Sequence, residues 1–398
     1  MDARSSTAAV RNWPLETAST ITEVDATEVN SKPTKPNRRG HAAKAPREKE
    51  MASQSGRGKM AREGAAKYLN TAKSGKNDEF YTILSDIEKE MRHYTVHFKN
   101  KTVLCNCDDP RVSNFFRYFL NNFEKLRLKG LITTCYRNDK PDLFSQHKMD
   151  RGIYLEYSGE QKDRRLPDPK KVEPRNLKAD GDFRSEECIH LLEKADIVVT
   201  NPPFSLFREY LAQLVEHRKQ FLIIGNWNAI TYRDVFRLIK EDKLWIGVNS
   251  NRNFSGFIVP KHYPLHGTEA RVDEDGNRII STNVTCWFTN IDLKKRHEEL
   301  ILYKTYNQRE FPRYDNYDAI EVSKTADIPI DFNGVMGVPI TFLKYYNPKQ
   351  FEIVGSDYEV KQGLLRGIVR RGWTGKTDRA YLNGKRLFAR ILIRRRTQ

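Results

Sequence analysis

Four consecutive residues, Asn201-Pro202-Pro203-Phe204, combine groups that suit a planar ring bearing an amino group. The Asn201 amide oxygen and the Pro202 carbonyl are hydrogen-bond acceptors, and the Phe204 ring offers a face for stacking. If both acceptors take an N–H of an exocyclic amine, the nitrogen becomes more pyramidal and its lone pair is localised for attack on an electrophile. The alternative at this point is that the tetrapeptide is an ordinary turn from a strand into a loop.

The residues before the tetrapeptide predict the element that positions it. Ile197, Val198 and Val199 are β-branched and apolar, which is typical of a strand buried on both faces. Proline cannot donate to a sheet ladder, so the strand must end before Pro202. The tetrapeptide is therefore expected at the carboxyl end of a strand, where α/β sheets bind their ligands.

Runs typical of strands alternate with helical patterns over the middle of the chain. The strand-like runs other than the one just described occupy residues 102–106, 130–136, 221–224 and 244–248. This alternation predicts an α/β protein with a mostly parallel sheet.

Two segments do not fit this pattern. Residues 137–170 are polar, with few apolar runs, and are predicted to be a surface insertion. Residues 1–60 have Trp13 as their only aromatic and cannot bury enough apolar surface to fold alone. We therefore expect residues 1–60 to be a disordered basic tail.

The charge of the chain is concentrated at its end. The 398 residues carry a net charge of +17, and residues 361–398 contain 12 Lys and Arg against the single acidic residue Asp378. This excess predicts a polyanionic partner, nucleic acid rather than a membrane, although a solvated charged face is the alternative. No apolar run is long enough to cross a membrane. The candidate contacts with nucleic acid are Arg370, Arg371, Lys376 and Arg386.

Motifs for several other chemistries are absent. No Gly-x-Gly-x-x-Gly follows a strand, and Gly375-Lys376-Thr377 lacks the upstream glycine of a phosphate-binding loop because position 370 is Arg370. The five cysteines lack zinc-ligand spacing, and their odd number predicts reduced thiols in a cytosol. The chemistry is therefore predicted to be a positioned group transfer that needs neither a metal nor a covalent intermediate.

The chain resembles the EcoRI-type adenine-specific DNA methyltransferases, the type II modification methylases, over roughly residues 65–398. The residues that carry this resemblance are Asp78-Glu79-Phe80-Tyr81-Thr82, the segment 105–116 that begins Cys105-Asn106-Cys107-Asp108-Asp109, Gly181-Asp182-Phe183-Arg184-Ser185, the segment 196–207 around the tetrapeptide, the block 334–342 and the closing basic strand. The resemblance implies a Rossmann-like class I methyltransferase fold with a basic C-terminal target-recognition region. It places the S-adenosylmethionine-dependent domain at 61–300 and the DNA-binding region at 301–398.

The resemblance also assigns roles to individual residues. Asn201, Pro202, Pro203 and Phe204 would grip an adenine that is flipped out of duplex DNA. The residues that would contact S-adenosyl-L-methionine are Phe80, Tyr81, Thr82, Cys107, Asp108, Asp109, Asp182 and Phe183. Cys107 to Asp109 occupy the turn where wider methyltransferase families have a glycine-rich loop, and this turn has no glycine.

The resemblance sets the biological expectation as well. It implies methyl transfer to the exocyclic amine of adenine in double-stranded DNA, as protection within a restriction–modification system. We expect a monomer in the prokaryotic cytoplasm, associated with the nucleoid, and a cognate restriction endonuclease that acts separately. Two alternatives stay open: a methyltransferase for another planar amine or amide, in RNA or protein glutamine, and a non-catalytic nucleic-acid-binding protein.

Overall fold

The computed structural model describes residues 80–107, 109–137, 151–159, 173–250, 253–259, 270–280 and 284–396. The predicted tail over residues 1–60, the candidate residue Asp108 and most of the predicted insertion lie outside these ranges. Part of the predicted insertion is described, and it forms a strand, β4 (Ile153–Tyr157), that belongs to the main sheet.

An eight-stranded sheet carries the candidate site. Its strands, numbered in chain order and given in spatial order, are β5 (Arg175–Asn176), β4, β3 (Gly130–Cys135), β2 (Thr102–Asn106), β6 (Ile197–Thr200), β7 (Gln220–Asn226), β12 (Thr285–Thr289) and β8 (Trp245–Ser250). The pairs β3–β2, β2–β6 and β6–β7 are parallel, whereas the four pairs toward the two edges are antiparallel.

The sheet is therefore mixed, and the prediction of a mostly parallel sheet is not confirmed. Parallel pairing is limited to the four central strands. The departure arises at both edges: β4 and β5 pair antiparallel beyond β3, and β12 returns from later in the chain and inserts between β7 and β8. Helical and strand periodicity report local structure only, so they cannot reveal such a long-range insertion.

The helices that flank the strands are α1 (Leu84–Met91), α2 (Asn114–Asn121), α3 (Phe123–Leu126), α4 (Glu186–Lys194), α5 (Phe207–Glu216), α6 (Arg233–Lys240) and α7 (Asp357–Lys361). Local sequence explains where two of them begin. Ser113 and Ser185 cap α2 and α4, and each side chain accepts a hydrogen bond from the backbone N–H three residues on. No helix in the described ranges is long and apolar enough to cross a membrane.

The described residues form three smaller sheets besides the main one. A four-stranded sheet contains β1 (Tyr81–Thr82), β9 (Phe257–Val259), β11 (Arg278–Ile280) and β10 (Arg271–Val272) in spatial order. A second contains β13 (Ile320–Glu321), β14 (Met336–Pro339), β18 (Arg390–Arg395) and β15 (Phe351–Ser356). β16 (Tyr381–Leu382) and β17 (Lys385–Arg386) form a hairpin.

Each face of the main sheet is covered by a hydrophobic cluster. Val103 and Val199 point to the cluster built with α1 and α2, while Leu104 and Val198 point to the other cluster. This alternation follows from the two-residue repeat of a strand. The cluster that contains Leu104 and Val198 also contains Ile393 of β18. The sheet of β13, β14, β18 and β15, called the C-terminal sheet below, therefore packs on one face of the main sheet and shares its core.

Candidate active site

The tetrapeptide lies at the position that the sequence predicts. β6 ends at Thr200, Asn201 is buried, and Phe204 begins a short 3₁₀ helix that leads into α5. β2 has β3 on one side and β6 on the other, so the order of strands reverses between β2 and β6. Open α/β sheets bind ligands outside the carboxyl ends of their strands at such a reversal.

The orientation of the Asn201 amide is fixed by one hydrogen bond. Its Nδ2 donates to the backbone carbonyl of Phe80, at 2.8 Å. A carbonyl oxygen can only accept, so the amide nitrogen must face Phe80 and the amide oxygen must face away. Asn201 Oδ1 is buried and has no hydrogen-bond partner among the described residues. A buried unpaired acceptor costs about 1–3 kcal/mol, so a ligand that donates an N–H here would recover that free energy.

Phe204 is held by two further aromatic rings. Its ring stacks on Phe80 with a centroid distance of 5.9 Å and meets Phe257 edge-on at 6.2 Å. Phe80 and Phe257 are themselves buried, whereas Phe204 is only half-buried. Phe80 therefore supports both ends of the tetrapeptide, through its carbonyl at Asn201 and through its ring at Phe204.

The carboxyl ends of β2 and β6 are tied together beneath the tetrapeptide. The Thr200 hydroxyl donates to the Asn106 carbonyl, and the Tyr210 hydroxyl donates to Asn106 Oδ1. Burial raises the pKa of Tyr210 well above its ordinary value, so the phenol stays protonated and can act as the donor. Asn106 and Tyr210 were not predicted as site residues; the only signal was a polar residue, Asn106, closing an apolar strand.

The predicted cofactor segment Phe80-Tyr81-Thr82 runs beside the tetrapeptide. Tyr81 and Thr82 form β1, which pairs with β9, and the Thr82 carbonyl accepts from Asn114 Nδ2 at 2.9 Å. Thr82 Oγ1 is buried without a partner among the described residues. The segment therefore supplies a second unpaired polar atom near the reversal of the strand order.

The turn after β2 has the backbone shape of a glycine turn without a glycine. Cys107 has a φ of 81°, a left-handed conformation that glycine adopts most easily, and its N–H donates to the Thr134 carbonyl at 3.1 Å. Asp109, a candidate cofactor contact, is buried, and Arg111 binds its carboxylate through Nη2 at 2.6 Å and Nε at 2.9 Å. The Asp109 carboxylate therefore fixes the shape of this turn.

A matching arrangement occurs at Asp182 and Phe183. Arg184 binds the Asp182 carboxylate through Nη2 at 2.7 Å and Nε at 2.9 Å, and this hydrogen bonding lowers the pKa of Asp182. Phe183 is buried, with its ring edge-on to Tyr210 at 5.1 Å. Because Tyr210 also binds Asn106, Phe183 and the end of β2 share one packed cluster.

The candidate DNA contacts differ in how they are engaged. All four are exposed. Arg386 is bound to Asp378, with Nη2 2.6 Å from the carboxylate, and Arg370 donates to a backbone carbonyl 3.1 Å away. No side-chain hydrogen bond or ion pair within the described ranges engages Arg371 or Lys376, so their charges remain available.

Metal ligands are not grouped in the described part of the chain. No set of three or more His, Cys, Asp or Glu residues there is arranged to hold a metal ion. Whether the reaction proceeds without a metal stays a prediction.

These features define a candidate ligand site at the carboxyl edge of a mixed α/β sheet, with a buried acceptor at Asn201 Oδ1 that is unpaired within the described ranges and a half-buried aromatic ring at Phe204. Comparison with known proteins gives the class: residues 68–396 match the model of the adenine-specific methyltransferase EcoRI family, and the chain belongs to that family. No solved structure matches the chain.

Individual relatives agree with the family. The chain is 52% identical over 337 residues to the Type II methyltransferase M.EcoRI of Escherichia coli, covering 84% of this chain and 98% of that protein. It is 38% identical over 338 residues to the Type II methyltransferase M.MgeORF184P of Mycoplasma genitalium, with 82% and 98% covered. It is 37% identical over 336 residues to the Type II methyltransferase M.MpnI of Mycoplasma pneumoniae, with 83% and 98% covered.

The family membership confirms the central prediction from the sequence. The chain is an adenine-specific methyltransferase of the restriction–modification type. A non-catalytic nucleic-acid-binding protein, one of the two alternatives, is set aside by this membership.

Proposed function

We propose that this enzyme transfers a methyl group from S-adenosyl-L-methionine to the exocyclic amino group of an adenine flipped out of double-stranded DNA. The observation that supports this most directly is the buried, unpaired Oδ1 of Asn201, whose orientation is fixed by the bond from Nδ2 to Phe80. An adenine N–H is a donor that fits this acceptor.

The tetrapeptide would act on adenine by positioning and electrostatics. Asn201 Oδ1 and the Pro202 carbonyl would accept the two N–H groups of the amine, which localises the nitrogen lone pair. The Pro203 carbonyl already accepts from the Leu206 N–H at 3.0 Å, so it belongs to the 3₁₀ helix and not to the substrate. Phe204 would stack on the flipped ring, because its two aromatic neighbours hold it while part of it remains exposed.

We propose that the cofactor binds at the same carboxyl edge of the main sheet, across from the tetrapeptide. S-adenosyl-L-methionine would supply an electrophilic methyl group on a sulfonium. We propose that Tyr81, Thr82 and the turn at Cys107 hold it, since Thr82 Oγ1 is an unpaired buried polar atom and the left-handed Cys107 brings bare backbone to the reversal of the strand order. Asp109 and Asp182 would shape the two loops through their arginines, and Phe183 would pack under the cofactor's adenine.

We propose that the fold is a Rossmann-like class I methyltransferase fold. Three central pairs are parallel, and β8 runs in the same direction as β7 because β12 is antiparallel to both. On this proposal, residues 61–300 carry methyl transfer and residues 301–398 carry target recognition, although the two regions share a hydrophobic core.

We propose that duplex DNA is the substrate. The amine of a paired adenine cannot reach a site at the edge of the sheet, so the base must leave the stack at a cost of a few kcal/mol. Arg371 and Lys376 would contact phosphates, with Arg370 and Arg386 beside them, and such contacts weaken as salt rises. We propose that the enzyme acts as a monomer on chromosomal DNA in the prokaryotic cytoplasm, with a cognate endonuclease acting separately.

Asn201→Ala tests the proposed grip. We expect methyl transfer to DNA to fall about 100-fold or more, the range seen when a positioned hydrogen-bonding group of an active site is removed, while S-adenosylmethionine affinity measured by calorimetry changes little. Asn121→Ala, at an exposed position at the end of α2, is the matched control and should retain full activity. Full activity of Asn201→Ala would refute the grip.

A further inference from the structure

The aromatic side chain of Phe388, in the C-terminal region, is exposed to solvent. Phe388 is 80% exposed, whereas Phe342 and Phe351 of the same region are fully buried. Single exposed apolar residues are common on protein surfaces, so exposure alone indicates nothing. The way in which the chain holds Phe388 is the informative feature.

The backbone on both sides of Phe388 is anchored. On one side the Leu387 N–H donates to the Ala380 carbonyl at 2.9 Å. On the other side the Arg390 N–H donates to Asp357 Oδ2 at 2.7 Å. Two anchors, one residue before and two residues after, leave little freedom for the backbone of Phe388.

A buried ion pair adds a third constraint. The Arg390 guanidinium donates to the Phe388 and Ala389 carbonyls, each at 3.4 Å, and also binds Glu321 with Nη2 2.6 Å from the carboxylate. The Arg390 and Glu321 side chains are almost fully buried, and the Tyr314 hydroxyl donates to Glu321. Burying an ion pair is costly, but the hydrogen bonds that Arg390 makes hold the groups that they join in one arrangement. Here the fixed element is the loop that presents Phe388.

This loop lies at the edge of the sheet that carries the tetrapeptide. Ala389 and Arg390 line a groove together with Ile230 and Thr231. Ile230 and Thr231 belong to the 3₁₀ helix that directly follows β7, and β7 is the parallel neighbour of β6. The carboxyl ends of parallel strands meet at one edge, so the Phe388 loop and the end of β6 lie toward the same edge of the main sheet. The loop lies on the face covered by the C-terminal sheet, and Phe204 packs on the face covered by α1 and α2.

Residues beside the groove also suit DNA. Tyr232 follows Ile230 and Thr231 and is 40% exposed, with the Arg208 guanidinium carbon 5.5 Å from its ring centre. Arg208 Nη2 also pairs with Asp234, at 2.6 Å, so this cation would contact a phosphate in competition with that carboxylate. Arg208 lies on α5, which begins directly after the 3₁₀ helix of Phe204. Lys385, three residues before Phe388, is exposed. Cations beside aromatic faces are the combination that binds phosphates and stacks on bases.

We propose that Phe388 is a positioning residue that enters the base stack next to the target adenine and stabilises the DNA with that adenine flipped out. This inference rests on the proposed function and adds to it a residue far from the tetrapeptide in sequence. Inserted apolar side chains partly unstack a base step, and the stacked ring would replace contacts that the departing adenine leaves behind.

The test compares two DNA duplexes that carry the methylation site mapped by modification sequencing. In one duplex the target adenine is paired with thymine; in the other it lies opposite an abasic position, where leaving the stack costs less. Single-turnover methyl transfer is measured on these two duplexes for wild type, Phe388→Ala and Phe388→Trp. Base flipping is measured separately, as the fluorescence of 2-aminopurine in matched duplexes where it replaces the target adenine, because 2-aminopurine lacks the amino group that accepts the methyl. Tyr303→Ala removes an exposed aromatic side chain elsewhere, 67% exposed, and is the control.

For Phe388→Ala we expect transfer on the paired duplex to fall about 10- to 100-fold, the range that corresponds to one lost base–aromatic stack, together with a lower 2-aminopurine signal. Most of this defect should disappear on the abasic duplex, and Phe388→Trp should retain activity on both. Wild-type rates for Phe388→Ala on the paired duplex, or equal losses on both duplexes, would overturn the proposal. If wild type itself methylates neither duplex, the proposed function fails, and that result is distinct from a defect confined to the variant.

Discussion

The Asn201 side chain has two parts: Nδ2 donates to the Phe80 carbonyl, and Oδ1 is an acceptor with no partner among the described residues. Asn201→Asp removes the donor and keeps an acceptor. The substitution keeps an oxygen at the position that would accept from adenine, but it replaces the Nδ2 donor that lies 2.8 Å from the Phe80 carbonyl. Two oxygen atoms then face each other at hydrogen-bond distance while both are buried. An acceptor left without its donor costs about 1–3 kcal/mol, and a carboxylate at a buried position adds a desolvation penalty.

We therefore expect a loss of roughly 2–3 kcal/mol in the positioning of the side chain, which corresponds to a rate about 30- to 150-fold lower at pH 8. The defect should depend on pH. Burial and the facing carbonyl raise the pKa of the new carboxyl above its usual value, and a protonated carboxyl can again donate to Phe80. Activity relative to wild type should therefore recover as pH falls through that raised pKa.

The assay is transfer of a radiolabelled methyl group to DNA over the pH range in which wild type stays folded, with each variant expressed relative to wild type. Asn201→Ala lacks a titratable group and provides the control, because its ratio to wild type should not change with pH. Near-wild-type transfer by Asn201→Asp at pH 8, or a defect that is the same at all pH values, would refute the role of the bond to Phe80.

Three further predictions follow from other parts of the structure. Cys107→Gly should raise the free energy of unfolding by up to about 1 kcal/mol, because relief of the left-handed strain outweighs the extra chain entropy of glycine. A lower free energy of unfolding for this variant in urea titration would contradict this. Burial raises the pKa of Asp357 to about 6, so the folded state binds its proton more tightly than the unfolded chain, and wild type should lose up to about 3 kcal/mol of stability between about pH 4 and 7. Asp357→Asn should lack this loss. If the free energy of unfolding depends on pH in the same way in both proteins, the raised pKa of Asp357 is not the cause. Replacing both Arg371 and Lys376 by Ala should reduce the slope of log affinity against log salt by about 2 without changing sequence preference, and an unchanged slope would show that neither meets a phosphate.

The local part of the site was readable from the sequence. Apolar β-branched residues followed by Pro202 predict a buried strand and its end, and β6 runs over Ile197–Thr200 as those rules require. Rules of this kind act over a few residues, so they predict the element and its boundary well.

The role of Phe80 could not be read in this way. The resemblance implies a cofactor contact for Phe80, which stays a prediction. The structure adds contacts of Phe80 with Asn201 and Phe204, which lie more than 120 residues later. Strand and helix periods carry no information about contacts at that separation. The conformation of the turn after β2 could not be predicted either, because Cys107 adopts a left-handed conformation that is uncommon for residues other than glycine.

The closing basic strand shows the limit of charge patterns. The arginines suggested a DNA-contacting segment, and removal of the chain after residue 357 would be the obvious test. β18 instead lies between β14 and β15, Ile391 to Ile393 are buried, and Arg390 binds Glu321. Truncation would remove one of the two interior strands of the C-terminal sheet, so point substitutions at exposed cations are the informative test.

The most direct test of the account is long-read modification sequencing of DNA from a host without adenine methylation, expressing either wild type or Asn201→Ala. The account predicts N6-methyladenine at one recurring sequence with wild type and at none with Asn201→Ala. Unmodified DNA adenines with wild type, together with methyl groups appearing in RNA or on protein glutamine, would contradict it.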